Sequence, residues 1–159
     1  MLFIIKSYTG ALIDEPSISR SKRKIIRRKT MEIKNIYREL ERVTPDEKAG
    51  IKVDRLTGDD NVSVFVAEIA EHKWVKPHYH QKGVEIYHIL EGRGLMKIGR
   101  VDGQNQVAWE SEFPVEKGDC FSIPEKTVHQ LANTGTARLC VLFICSPTHL
   151  STDRFFVGD

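Results

Sequence analysis

The chain has 159 residues, 40% of them apolar and 29% charged, with a formal net charge of +2. That usage excludes a fibrous, collagen-like or wholly disordered chain, and the length is that of one domain with a short extension. The longest apolar run, Leu139 to Cys145, is far short of the roughly 20 residues a membrane span needs.

The charge is unevenly spread. Residues 1–30 carry eight Lys or Arg and two acids, whereas the remaining residues carry 16 basic and 20 acidic. The basic run Arg20, Lys22, Arg23, Lys24, Arg27, Arg28 and Lys29 has no interleaved aromatics and no zinc-finger spacing. A solvated basic extension is therefore expected over 1–30, and nucleic-acid contact is not. Leu2 to Ile5 is too short for a secretory apolar region, and Asp14 and Glu15 count against a transit peptide. Met31 opens the first patterned segment, so a start at Met1 and a start at Met31 both stay open.

Ile33, Ile36, Tyr37, Leu40 and Val43 fall at helical spacing, which predicts a short amphipathic helix over 32–42. Thr44-Pro45-Asp46-Glu47 has the makings of a cap and first turn, and a further helical turn ending at Gly50 is expected. Residues 31–54 thus form a helical lead-in. Beyond it the period changes to two. Strands are expected over 62–70, 84–90, 94–99, 104–110, 119–123, 128–132 and 138–145, separated by Gly, Pro and Asp-Gly turn formers. Short strands at this spacing point to an all-β sandwich or barrel, here over residues 55–146, with 147–159 as a C-terminal tail. Cys120, Cys140 and Cys145 are odd in number and lack a C-x-x-C spacing. Reduced, buried thiols, and with the missing leader a cytoplasmic location, are the expectation.

The chemistry concentrates in four residues. His78 and His80 are two apart, so on an extended strand both imidazoles face one side. Glu85 opens the next strand, and His129 follows Pro124 far along the chain. Three imidazoles and one carboxylate suit a divalent transition metal such as iron, manganese, nickel or zinc. Tyr87, two after Glu85, should share its face and could give a proton to a substrate oxygen or fill the core. Phe121 or Cys120, on adjacent positions, faces the same interior. His88 points away, His72 and His149 are expected on the surface, and Trp109 and Phe113 are placed at one end of the barrel.

These residues fall in a recognisable order. His78-Tyr79-His80, Glu85 and Gly92 resemble the first motif of the cupin family, and Gly118, Pro124, His129 and Asn133 resemble the second. The resemblance implies a double-stranded β-helix, or jelly-roll, barrel with His78, His80, Glu85 and His129 as metal ligands. It also implies a homodimer and a small-molecule ligand, with Glu85 and Tyr87 as candidate catalytic groups and Asn133 in a structural role. Two positions depart from the pattern: His72 and Lys126 stand where the family has turn glycines. Val84 to Leu90 is also similar to the Glu-Ile-Tyr strand of archaeal phosphoglucose isomerases, and for such chemistry Lys76, Lys97 and Lys126 are candidate phosphate contacts. Four protein ligands on an octahedral ion leave two positions for water, oxygen or substrate. The function expected is isomerase- or oxygenase-type chemistry on a small oxygenated molecule. A non-catalytic binding module, for sugars for example, is the alternative, and a nucleic-acid regulator comes last.

Overall fold

Strands with one apolar face need a second sheet to cover it, and this chain supplies two. The computed structural model describes residues 31–46 and 51–158. The basic extension, most of the second predicted helical turn and Asp159 lie outside the described residues. The compact unit that holds the site is Ile33–Asp159.

The elements in order are α1 (Ile36–Arg42), β1 (Lys52–Gly58), β2 (Ser63–Ile69), β3 (His78–Tyr79), β4 (Glu85–Glu91), β5 (Arg93–Val101), β6 (Val107–Glu116), β7 (Cys120–Ile123), β8 (Val128–Asn133), β9 (Leu139–Cys145), a 3-10 helix (Pro147–Leu150) and β10 (Phe155–Phe156). Two five-stranded antiparallel sheets result, in the orders β1-β2-β9-β4-β7 and β10-β3-β8-β5-β6. This is the expected all-β double-stranded β-helix with a short helix before it. The seven expected strands are present with shifted ends. β1, β3 and β10 are additional: β3 and β10 are too short to show a period, and β1 carries the mixed sequence KVDRLTG.

The helix begins at Ile36 rather than at residue 32. Asn35 caps it, its side-chain oxygen accepting from the backbone N–H of Tyr37 and of Arg38, both at 3.2 Å. Leu40 is its buried anchor and packs with Val66 and Cys140 on the outer face of the first sheet. The predicted turn after Thr44 is not continued at Asp46, which pairs with Ile51 in an antiparallel bridge.

Phe65, Ala67, Ile69, Ile89, Leu131, Val141 and Phe143 form the main core between the sheets. β2 and β9 run side by side through the first sheet, and Phe65 and Phe143, directly paired, stack at 5.1 Å. The two departures from the glycine pattern sit where a glycine would be at ease: His72 has φ 57° and Lys126 has φ 62°. Both are left-handed turns, so the chain keeps the backbone of the pattern with the wrong side chains for it. Asn133 holds the next loop shut. Its amide donates to the carbonyls of Ile69 (3.0 Å) and Ala137 (2.8 Å), and its oxygen accepts from the N–H of Gly135 (2.9 Å).

Candidate metal centre

The two sheets bring the four predicted residues face to face. β3 and β8 are neighbours, and His78 is paired directly with His129, ring centroids 4.3 Å apart. His80 follows β3, its ring 5.5 Å from that of His129. Glu85 opens β4 in the opposite sheet, so its carboxylate reaches across to imidazoles from the other side. All four are buried, and their donor atoms lie within 4.8 Å of one another.

Each imidazole is held by a backbone carbonyl. His78 Nδ1 meets the carbonyl of Lys76 at 2.8 Å, His129 Nδ1 that of Thr127 at 3.0 Å, and His80 Nδ1 that of Asp153. A carbonyl only accepts, so Nδ1 carries the proton in each ring, and in the neutral imidazole Nε2 is a lone pair. The Nε2 atoms of His129 and His80 converge on Glu85. Its Oε2 is 3.1 Å from His129 Nε2 and 3.5 Å from His80 Nε2. None of these three atoms has a hydrogen-bond partner among the described residues, although all are buried. A cation between acceptors that face one another at such distances would satisfy them, and unpaired buried polar atoms are costly. The residues present therefore fit a divalent ion.

Electrostatics agree with that reading. Burial disfavours the Glu85 anion, but the imidazoles of His129, His149 and His80 crowded around it outweigh burial and hold the carboxyl well below its usual range. Burial, aided by the neighbouring His129, keeps His78 neutral well below the ordinary imidazole range. Tyr87 faces the same cavity, and burial followed by the nearby Glu85 charge raises its hydroxyl far above the ordinary phenol value. It therefore keeps its proton.

Several other predicted placements change. His149, expected on the surface, is 1% exposed. The 3-10 helix after Pro147 folds it back under the site, where its ring stacks on His80 at 4.0 Å and 6°. Its Nε2 donates to the Lys82 carbonyl at 2.7 Å, and its Nδ1 lies 3.8 Å from Glu85 Oε1. With Cys145 and Glu85 it forms a second buried group of metal-ligand type. Phe121 is the inward member of its pair, its ring 5.7 Å from Tyr87, and Cys120 is exposed. Trp109 and Phe113 are 39% and 49% exposed on β6, an edge strand; Phe113 lines an apolar cavity with Met96, Ile98, Val115 and Phe121, and Lys97 lies 5.9 Å over the Trp109 ring. Lys76 and Lys126 are exposed and Lys97 pairs with Glu112 at 2.7 Å, so none of the three lines the cavity. The cation that does is Arg154, from the segment read as a tail. Nothing in the local sequence around His149, Asp153 or Arg154 marks them, since their partners are up to 108 residues away.

The family model described as the cupin domain matches residues 65–145, just over half of the chain. The chain belongs to the cupin family. An uncharacterized protein of Methanocaldococcus jannaschii is 38% identical over 76 residues, 48% of this chain and 53% of that protein, so the match spans about half of the relative's own length. Among solved structures, a conserved Klebsiella pneumoniae protein with a double-stranded β-helix domain superposes with a TM-score of 0.60 at 14% identity, covering 82% of this chain and 100% of the other. Oxalate decarboxylase of Lactobacillus farciminis, solved with formate, gives 0.54 at 20% identity over 67% of this chain and 31% of that one. Identities this low report a shared cupin barrel. No helix among the described residues is long and apolar enough to cross a membrane.

Proposed function

We propose that this cupin is a metal-dependent enzyme acting on a small oxygenated molecule in the barrel cavity, with His78, His80, Glu85 and His129 holding the ion. The observation that carries this reading is the set of buried, partnerless Nε2 and carboxylate atoms aimed at one point, with each imidazole anchored through Nδ1 by a carbonyl. An ion held there would supply Lewis acidity toward a substrate oxygen, or redox chemistry if it were iron or manganese. The chain's own residues do the rest. Glu85 stays an anion and balances the ion's charge. Tyr87, protonated and buried beside Glu85, donates a hydrogen bond to a substrate oxygen as charge develops on it. Apolar walls from Ile69, Val75, Leu131 and Phe143 exclude bulk water.

Metal analysis of the purified full chain, followed by activity assays on the metal-replete protein, tests this. One equivalent of a divalent metal is expected, with turnover requiring it. Oxygen uptake with iron would assign oxygenase chemistry, and turnover without oxygen on a non-redox ion would assign isomerase or lyase chemistry. The cavity, at about 30 Å³, also suits a module that holds a metal and a small ligand without turnover. A metal-replete protein that binds ligand and never converts it would assign that second reading. A protein that takes up no metal would overturn both.

A further inference from the structure

The cavity beside the four candidate ligands has an unusual lining for a site that would take a sugar. Its walls are almost wholly apolar, and the polar side chains on it are His78, Glu85, Tyr87 and Arg154. A polyhydroxylated ligand would leave several hydroxyls buried against Val and Leu side chains with no partner, which costs affinity. The volume, about 30 Å³, is that of two or three waters. Both observations select a small ligand with one strongly polar end.

Arg154 identifies the charge of that end. It comes from the loop before β10, the strand that pairs with β3 so that Phe156 lies opposite His78. The guanidinium sits 5.1 Å from the centre of the Phe156 ring, and that ring is 5.9 Å from the ring of His78. The Arg154 side chain is only 13% exposed, and its Nη2 donates to Asp46 Oδ2 at 3.3 Å. A guanidinium has five N–H donors in a planar fork, more than one carboxylate can engage. Stacked on Phe156 and steadied by Asp46, it presents a fixed cationic face to the same small space as the ligand cluster.

We infer that Arg154 is the anion-recognising residue of this site and that the ligand is a small carboxylate, of the size of acetate or slightly larger. This rests on the metal reading above. The carboxylate, the one polar end, lies between the ion and the Arg154 fork and is shared by the two.

The test uses the full chain loaded with Co²⁺, whose visible absorption reports changes at the ion. Metal content is measured on every sample, and acetate, acetamide and inorganic phosphate are titrated into wild type, Arg154→Gln and Arg154→Lys. Acetate is expected to perturb the wild-type spectrum, with about tenfold or more weaker binding in Arg154→Gln and partial recovery in Arg154→Lys, which keeps the charge but not the fork. Acetamide should bind weakly and equally to all three. Asp46→Asn, which removes the competing carboxylate, should bind acetate more tightly than wild type. Equal acetate affinity in wild type and Arg154→Gln at full metal content would overturn the assignment of Arg154 alone. Arg154-dependent binding of phosphate tighter than acetate would overturn the carboxylate class. Failure of the wild type to take up metal would instead remove the metal reading on which the inference stands.

Discussion

Two regions of this barrel build one cavity by different means. The strands β3, β4 and β8 deliver His78, Glu85 and His129 from regular positions, where alternation and direct pairing set the direction of each side chain, and His80 follows directly after β3. The segment 147–157 has little regular structure, yet it delivers His149 beneath His80, the Asp153 carbonyl behind His80, and Arg154 and Phe156 beside His78. The first region places donor atoms. The second fixes their orientation and closes the cavity around them. The cupin motif alone therefore describes the four candidate ligands and not the surroundings supplied by residues 147–157.

Breaking the first region should have the largest effect. His78→Ala and His129→Ala each delete a donor and leave buried partners unmatched, so metal content should fall to near zero in both, as read by elemental analysis. Full occupancy in both variants would remove these residues from the ligand set. Breaking the second region should weaken the site without abolishing it. His149→Ala removes the stack on His80 and the contact with Glu85, and metal affinity should drop about 10- to 100-fold, the usual range for residues that orient ligands. Unchanged affinity, measured by competition with a chelator, would show that the 3-10 helix packs there without serving the ion.

The same contrast explains how much was legible beforehand. His78 and His80 share a face because strand geometry has a period of two, and Glu85 with Tyr87 follows the same rule, so local spacing revealed them. The two-sheet architecture was legible for the same reason. His149 and Arg154 depend on contacts with His80 and Asp46 that no local period encodes. Their segment lacks alternation and reads as a tail. Asn35 displaced the expected helix start because a side-chain cap outweighs the apolar spacing of Ile33. Ile33 itself is 84% exposed and contributes little packing.

Smaller effects sharpen the comparison away from the ligands. His72 and Lys126 occupy left-handed turns at about 1–2 kcal/mol each relative to an ordinary backbone, partly offset by the greater unfolded-state freedom of glycine. His72→Gly and Lys126→Gly should each stabilise the protein by about 0.5 kcal/mol, seen as a higher denaturation midpoint. A lower midpoint in both would contradict the strain assigned to these turns.

The thiols offer the mildest test. Cys120 is exposed, whereas Cys140 and Cys145 are buried. Burial, with the nearby Glu91 charge, pushes the Cys140 thiol up to about 11 from its ordinary 9.0. One thiol should react quickly with a disulfide reagent and two only on unfolding. The unfolded chain ionises this thiol first, so the contribution of Cys140 to stability is complete below about pH 9 and is lost as the pH rises toward 11. Three thiols reacting at one rate in the native protein would contradict the packing of β9 against α1.

The most direct measurement is anomalous diffraction from crystals of the full chain grown or soaked with manganese or zinc. A single strong peak is predicted between the two sheets, about 2.0–2.2 Å from the Nε2 atoms of His78, His80 and His129 and from a carboxylate oxygen of Glu85. A map with no peak there, or with the ion seated on other residues, would contradict the account.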